Sequence, residues 1–75
     1  MSPRIITPTH RTLGAALRAE RLRQGLSQPQ LARLADVSIP TVLTIEKAQR
    51  DPRLSSLTPI AAALGLRLAL LPADE

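Results

Sequence analysis

Cysteine is absent from this chain, and so are phenylalanine, tyrosine and tryptophan. Without thiols, neither a disulfide nor a thiolate metal site can reinforce a chain of 75 residues. At that length one hydrophobic core supplies only about 3–5 kcal/mol. The single histidine, His10, lies among prolines and threonines, so no histidine metal site and no cofactor are predicted. Association with a second chain is the remaining source of reinforcement. The lack of aromatics excludes the folds that read single-stranded nucleic acid by stacking bases on side chains. No apolar run approaches the roughly 18 residues of a membrane span, and no charged-then-apolar leader precedes the first helix. The chain therefore reads as cytoplasmic, with no membrane partner. Neither a glycine-rich phosphate loop nor a histidine beside a nucleophile is present, so no enzyme is predicted.

Charge is present and unevenly spread. The net charge is +4, and nine of the ten basic residues fall between Arg4 and Arg53, against Glu20, Asp36, Glu46 and Asp51. That region is basic by five charges, while the last 22 residues carry one net negative charge. A basic excess of this size fits either an ordinary solvated surface or a polyanion partner. With base stacking excluded, duplex DNA is the favoured polyanion.

The pattern along the chain is helical. Residues 1–11 (MSPRIITPTHR) read as an extended leader. Leu13, Ala16 and Leu17 then recur at helical spacing over about 12–24, and Gly25 stops the run. In LSQPQLARLA, Ser27 is an N-cap with Gln30 as its reciprocal capping-box partner, and Pro29 is safe in the first turn of a helix at about 28–34. The apolar face of that helix is Leu31, Leu34 and Ala35, with Ala32 small enough to admit a neighbouring helix. Ser38 is a second N-cap, which puts Ile39 and Pro40 in the first turn of a helix at 39–47. At 100° per residue Val42 and Ile45 share one face, Pro40, Leu43 and Thr44 point the other way, and Ile39, Thr41 and Glu46 flank. β-Branched residues weaken this segment as an isolated helix, so packing must hold it. A fourth helix carries Leu54, Leu57, Ile60, Ala61 and Leu64 and closes at Gly65; Pro59 predicts a kink or a delayed start there. In LRLALLP, Leu66, Leu68 and Leu70 alternate with Arg67, Ala69 and Leu71 as in a strand, with a short fifth helix as the alternative. A lone strand leaves its backbone unpaired, so its partner would be a second copy of the chain.

The short link ADVS between the second and third helices is that of a helix-turn-helix. Over about residues 12–66, the strings LG..LR..R...GLSQ..LA and VS..T...IE and the closing ALGL resemble the lambda-repressor-like (XRE/Cro) domains. Two positions depart from that pattern: Asp36 and Ala48 stand where glycine is usual. The resemblance implies an all-α, four-helix domain over 12–65, with the third helix in the major groove and the start of the second over the DNA backbone. It implies base-facing roles for Ile39, Pro40, Leu43 and Thr44, although Leu43 also reads as a singly exposed leucine. Ser27, Gln28, Ser38, Thr41, Lys47, Arg50 and Arg53 would meet the DNA backbone, Gln28 touching phosphate or the outermost base with the help of free N–H groups at the start of the second helix, and Arg53 also placed to probe a minor groove. A solvated basic loop is the alternative for Lys47, Arg50 and Arg53. Arg21 and Glu46 would form a structural ion pair.

The segments IITPTHRTLGAALR and LGLRLALLP further resemble HipB-type antitoxins, whose last element is a strand paired across a two-fold axis. That likeness implies a dimerisation strand at 66–71 on Leu66, Leu68 and Leu70, a frayed tail at 72–75, and a homodimer on a palindromic operator. It also implies repression of its own operon and a HipA-like kinase toxin as partner. A stand-alone regulator of the phage-repressor or restriction-controller kind shares the DNA chemistry. An adaptor that keeps the fold without binding DNA is a third reading.

Overall fold

The computed structural model describes residues 10–47 and 53–69, which form four α-helices: α1 (His10–Arg23), α2 (Gln28–Ala35), α3 (Ile39–Lys47) and α4 (Leu54–Ala63). Three of the four end in the same way. After α1, Gly25 adopts φ 73° and the amides of Gly25 and Leu26 return to the carbonyls of Leu22 and Arg21. After α2, Asp36 takes the left-handed region at φ 58°, ψ 45°, and Val37 N–H reaches the Ala32 carbonyl at 3.0 Å. After α4, Gly65 takes φ 77° and Leu66 N–H reaches the Ala61 carbonyl at 2.8 Å. Each is a Schellman-type stop, in which a left-handed residue lets two amides satisfy carbonyls that the helix leaves unpaired. Aspartate tolerates that conformation better than most side chains, which explains how Asp36 replaces the usual glycine.

The helix starts carry their own caps. Ser27 Oγ accepts from Gln30 N–H at 3.1 Å while Gln30 Oε1 accepts from Ser27 N–H at 2.7 Å, closing the capping box at the head of α2. Ser38 Oγ accepts from Thr41 N–H at 3.2 Å at the head of α3. The segment from Ser38, rich in β-branched residues, is thus a capped helix. Helix α1 starts at His10, so the extended leader does not reach residue 11. Apolar spacing begins only at Leu13, but backbone helicity needs no apolar side chain, and residues 10–12 simply precede the stripe.

One core unites the helices: Leu17 from α1, Leu31, Ala32 and Ala35 from α2, Val42 and Ile45 from α3, and Leu57, Ile60, Ala61 and Leu64 from α4 and its end. Fully burying each of the larger aliphatic side chains is worth about 1.5–3 kcal/mol. Helix α3 packs against α1, α2 and α4, which is how a nine-residue helix of modest propensity is held.

The core differs from the periodic reading at three residues. Ala16 is exposed, because α1 turns Leu13, Gly14, Leu17 and Arg21 inward, a face that contains glycine and arginine rather than alanine. Leu34 is 61% exposed and Ala32 takes its place in the core, because α3 and α4 approach α2 closely enough to need a small residue. Leu54 is 69% exposed at the first position of α4, before that helix reaches the core.

Pro59 does not delay α4, which starts at Leu54 and runs through the proline. The amide that proline lacks would have bonded the carbonyl of Ser55, an exposed residue, where water can take over that carbonyl. Burial of Leu57, Ile60 and Ala61 on either side offsets the lost bond.

Residues 66–69 adopt neither strand nor fifth helix. A strand requires a partner for its backbone, and a single chain supplies none among the described residues. Leu70, Leu71 and the tail 72–75 lie outside the described residues, as do Ala48, Arg50 and residues 1–9. No helix among the described residues is long and apolar enough to cross a membrane.

Candidate nucleic-acid interface

The turn Asp36–Ser38 sets α3 against α2 and leaves α3 with two unlike sides. Val42 and Ile45 are 1% and 5% exposed, seated in the core. On the other side Ile39 is 42% exposed, Pro40 and Lys47 are exposed, and Leu43 and Thr44 are half-buried. The open side is therefore freest in the first turn of α3 and becomes more enclosed towards Thr44.

A three-residue clamp fixes this helix. Glu46 Oε2 accepts from Arg21 Nε at 2.7 Å, and Glu46 Oε1 accepts from Arg21 Nη2 at 3.0 Å, a bidentate pair between α3 and α1. Arg21 Nη1 donates to the Leu26 carbonyl at 2.8 Å, tying the turn after α1 into the same cluster. The side chains are 8% and 2% exposed, and the bond to Glu46 raises the Arg21 pKa, so the guanidinium stays charged despite its burial. The structural ion pair anticipated from the sequence is thus present. A third donor joins it: Gln28 Nε2 gives a hydrogen bond to Glu46 Oε1 at 3.2 Å. Gln28 is therefore not a free surface amide, but a half-buried one held from α3.

The helix starts are less open than the sequence suggested. At α2 the amides of Ser27 and Gln30 are both taken by the capping box, and Pro29 has no N–H. Gln28 alone keeps a backbone N–H without a partner among the described residues, so the several free donors expected there reduce to one. At α3, Ser38 Oγ and Thr41 Oγ1 lie 2.7 Å apart and share one hydroxyl proton, leaving the other for an outside acceptor. Lys47 at the end of α3 is exposed, as is Arg53, whose carbonyl accepts from Ser56 and Leu57 at the head of α4. Arg50, predicted beside them, lies outside the described residues.

Three contributors escaped the sequence reading. Gly14 lets the backbones of α1 and α3 meet, since a Cβ there would overlap the Ile45 carbonyl oxygen. Gln24 Nε2 donates to the Leu64 carbonyl at 2.8 Å and to Glu20 at 2.8 Å, joining the ends of α1 and α4. Glu20, which also accepts from Arg23, is held down to about pKa 2, first by Arg23 and then by Gln24. Gly14 was visible in the string LG..LR; no local signal marked Gln24, whose partner is 40 residues away.

Comparisons with known proteins agree with this geometry. The family model for a helix-turn-helix domain matches residues 12–73. An uncharacterized HTH-type transcriptional regulator of Haemophilus influenzae is 40% identical over 52 residues, 69% of this chain and 53% of that protein. The immunity repressor protein of Bacillus phage phi105 is 34% identical over 64 residues, 85% of this chain and 44% of that protein. The chain thus spans about half the length of these curated relatives. Among solved structures, HipB with a serine-to-alanine change, in a complex described as O2 20mer, superposes with a TM-score of 0.85 at 23% identity, covering 97% of this chain and all of that one. A chain of a toxin-antitoxin module from Streptococcus pneumoniae superposes with a TM-score of 0.74 at 27% identity, covering 83% of this chain and 72% of that one. The protein belongs to the helix-turn-helix domain family and shares the fold of HipB.

Proposed function

We propose that the chain is a sequence-specific, duplex-DNA-binding transcriptional repressor that acts in the cytoplasm as a homodimer on a palindromic operator. The observation that carries this reading is the two-sided α3: one side is seated in the core and clamped by Arg21, while Ile39 and Pro40 at its other side are open. Such a helix fits the major groove with its first turn foremost. Ile39, Pro40, Leu43 and Thr44 face the bases. Ser27, Gln28, Ser38, Thr41, Lys47, Arg50 and Arg53 hold the backbone.

No arginine, asparagine or glutamine is among the base-facing residues, so bidentate readout of guanine or adenine is not available from them. Thymine methyls against Ile39, Pro40 and Leu43, the Thr44 hydroxyl and DNA shape carry the discrimination. Dimerisation uses the segment after Gly65. Leu66 is 41% exposed and Leu68 packs only partly on the core, which leaves apolar side chains over for a second copy; on this reading the segment becomes a strand only when the same segment of that copy pairs with it. Half-sites then lie about 10 bp apart.

Within this function, likeness to a chain of a toxin-antitoxin module favours an antitoxin, and the HipB-type resemblance of the sequence would make it one that represses its own operon and holds a HipA-like kinase toxin. Likeness to a phage immunity repressor favours a stand-alone regulator. A kinase-like gene beside this one, and co-purification of its product with the chain, decide between the two. The function itself is tested by titrating labelled duplex from upstream of the gene at two salt concentrations. Saturable binding that weakens steeply with salt is the expected result. No binding at low salt refutes the repressor reading and leaves a helix-turn-helix adaptor.

A further inference from the structure

We infer that Glu46 is a positioning residue for the DNA-backbone contact of Gln28, acting by fixing the direction in which the Gln28 amide donates. The inference rests on the reading of the chain as a duplex-DNA binder. Its basis is the chemistry of three groups that meet at one carboxylate. An ionised carboxylate only accepts, and Glu46 Oε1 receives both Arg21 Nη2 at 3.0 Å and Gln28 Nε2 at 3.2 Å. A glutamine amide has a donor end and an acceptor end, and only the donor end can face Glu46. The carbonyl end of Gln28 is therefore kept off that side, and the second N–H of its amide has a fixed direction.

Phosphate oxygens are acceptors as well, so they need that second N–H and are repelled by the carbonyl. An amide free to rotate would present the wrong end part of the time. The backbone N–H of the same residue is the one donor at the head of α2 that the capping box leaves open. Gln28 thus offers two donors, one of which depends on Glu46 for its aim. The negative charge of Glu46 does not oppose the approach of a phosphate, because Arg21 pairs with it through two short bonds. Since Glu46 belongs to α3, the same carboxylate sets the base-reading helix and the backbone anchor of α2 in register.

The test measures binding of the full chain to operator duplexes in which single phosphates are replaced, one at a time, by uncharged methylphosphonates. In the parent protein one phosphate per half-site should report Gln28, with a loss of about tenfold or more on neutralisation, as for a hydrogen bond to a charged group. In Glu46→Gln, Arg21 keeps the carbonyl of the new amide, its NH2 turns to Gln28, and the Gln28 amide must reverse. Sensitivity to that one phosphate should then fall by about fivefold, the backbone N–H of Gln28 retaining the remainder, while the other phosphates keep their full effects. General loosening of the fold would depress all phosphates alike. Gln28→Met leaves the Arg21 pair intact and should lose the same single sensitivity. If either variant keeps the parent's sensitivity at every phosphate, the inference is overturned.

Should Glu46→Gln fail to fold, the amide-proton NMR spectrum of the parent decides. On DNA binding one side-chain amide proton of Gln28 should keep its shift, still bound to Glu46, while the other moves. Both moving overturns the inference. A parent chain that binds no duplex overturns the repressor reading, and the inference with it.

Discussion

Replacing Gly14 with alanine sets two effects of opposite sign against each other. In an isolated helix alanine is favoured over glycine by about 1 kcal/mol, so propensity alone predicts stabilisation. In the folded chain, Gly14 sits where α1 crosses α3. A Cβ there would overlap the Ile45 carbonyl oxygen and come within 3.3 Å of both the Ile45 carbonyl carbon and the Glu46 carbonyl oxygen. All of these are backbone atoms of a helix, so no rotamer change relieves the contact and the two helices must part. Overpacking of this kind costs about 1–3 kcal/mol. The same helix pair carries the Arg21–Glu46 bonds at 2.7 and 3.0 Å, which lengthen as the helices separate. The upper half of the range therefore applies, and after the propensity gain the net loss is about 1–2 kcal/mol. For a domain of this size that lowers Tm by roughly 5–15 °C. Thermal melting followed by far-UV circular dichroism, at one fixed concentration because a dimer melts in a concentration-dependent way, measures it. Ala15→Gly, at the exposed neighbouring position, isolates the propensity effect and should cost about 1 kcal/mol. If Gly14→Ala melts at or above the parent's temperature, the close crossing of α1 and α3 is refuted.

Arg21→Met leaves the Glu46 carboxylate without its charged partner in a nearly dry site and should destabilise by about 3–5 kcal/mol in chemical denaturation; a loss below about 1 kcal/mol would mean that water reaches the pair. The Glu20 carboxyl is held from its ordinary 4.5 down to about 2, so its contribution to stability is complete above pH 4.5 and is lost as the pH falls towards 2. The pair lies at the surface, with Glu20 half-buried and Arg23 exposed, so salt screens it, and carboxyl NMR should show the Glu20 midpoint return towards 4.5 in Arg23→Ala. Changing the operator's thymines to uracil removes only the methyls and should weaken binding by several-fold, whereas equal affinity contradicts readout through Ile39, Pro40 and Leu43. Lys47→Ala and Arg53→Ala should weaken binding to all sequences alike and flatten the plot of log affinity against log salt by about 0.9 per lost contact; a change in sequence preference would instead put them at the bases.

Local chemistry made much of this legible in advance. Ser27 with Gln30 and Ser38 with Thr41 are caps whose partners lie three residues away, so the starts of α2 and α3 follow from short-range rules. The left-handed stops at Gly25, Asp36 and Gly65 are equally local. The seat of α3 on Val42 and Ile45 follows from helical spacing alone. The reading weakened where a neighbour decided the outcome. Leu34 fits the apolar stripe of α2, yet Ala32 lies in the core, and only the approach of α3 and α4 distinguishes the two. Pro59 argues against a continuous α4 until burial on both sides of it is taken into account.

The sequence by itself determined the four helices, most of their ends and the existence of a two-sided third helix, because these depend on contacts within a few residues. The family resemblance implied the Arg21–Glu46 pair, but tertiary structure decided what joins it. Arg21 and Gln28, 25 and 18 residues distant, converge on the Glu46 carboxylate, and Gly14 brings the α1 backbone against that of α3. Caps and stops are written in neighbouring residues, but a clamp between three helices exists only once they have packed, because its energy depends on distances that no periodicity encodes.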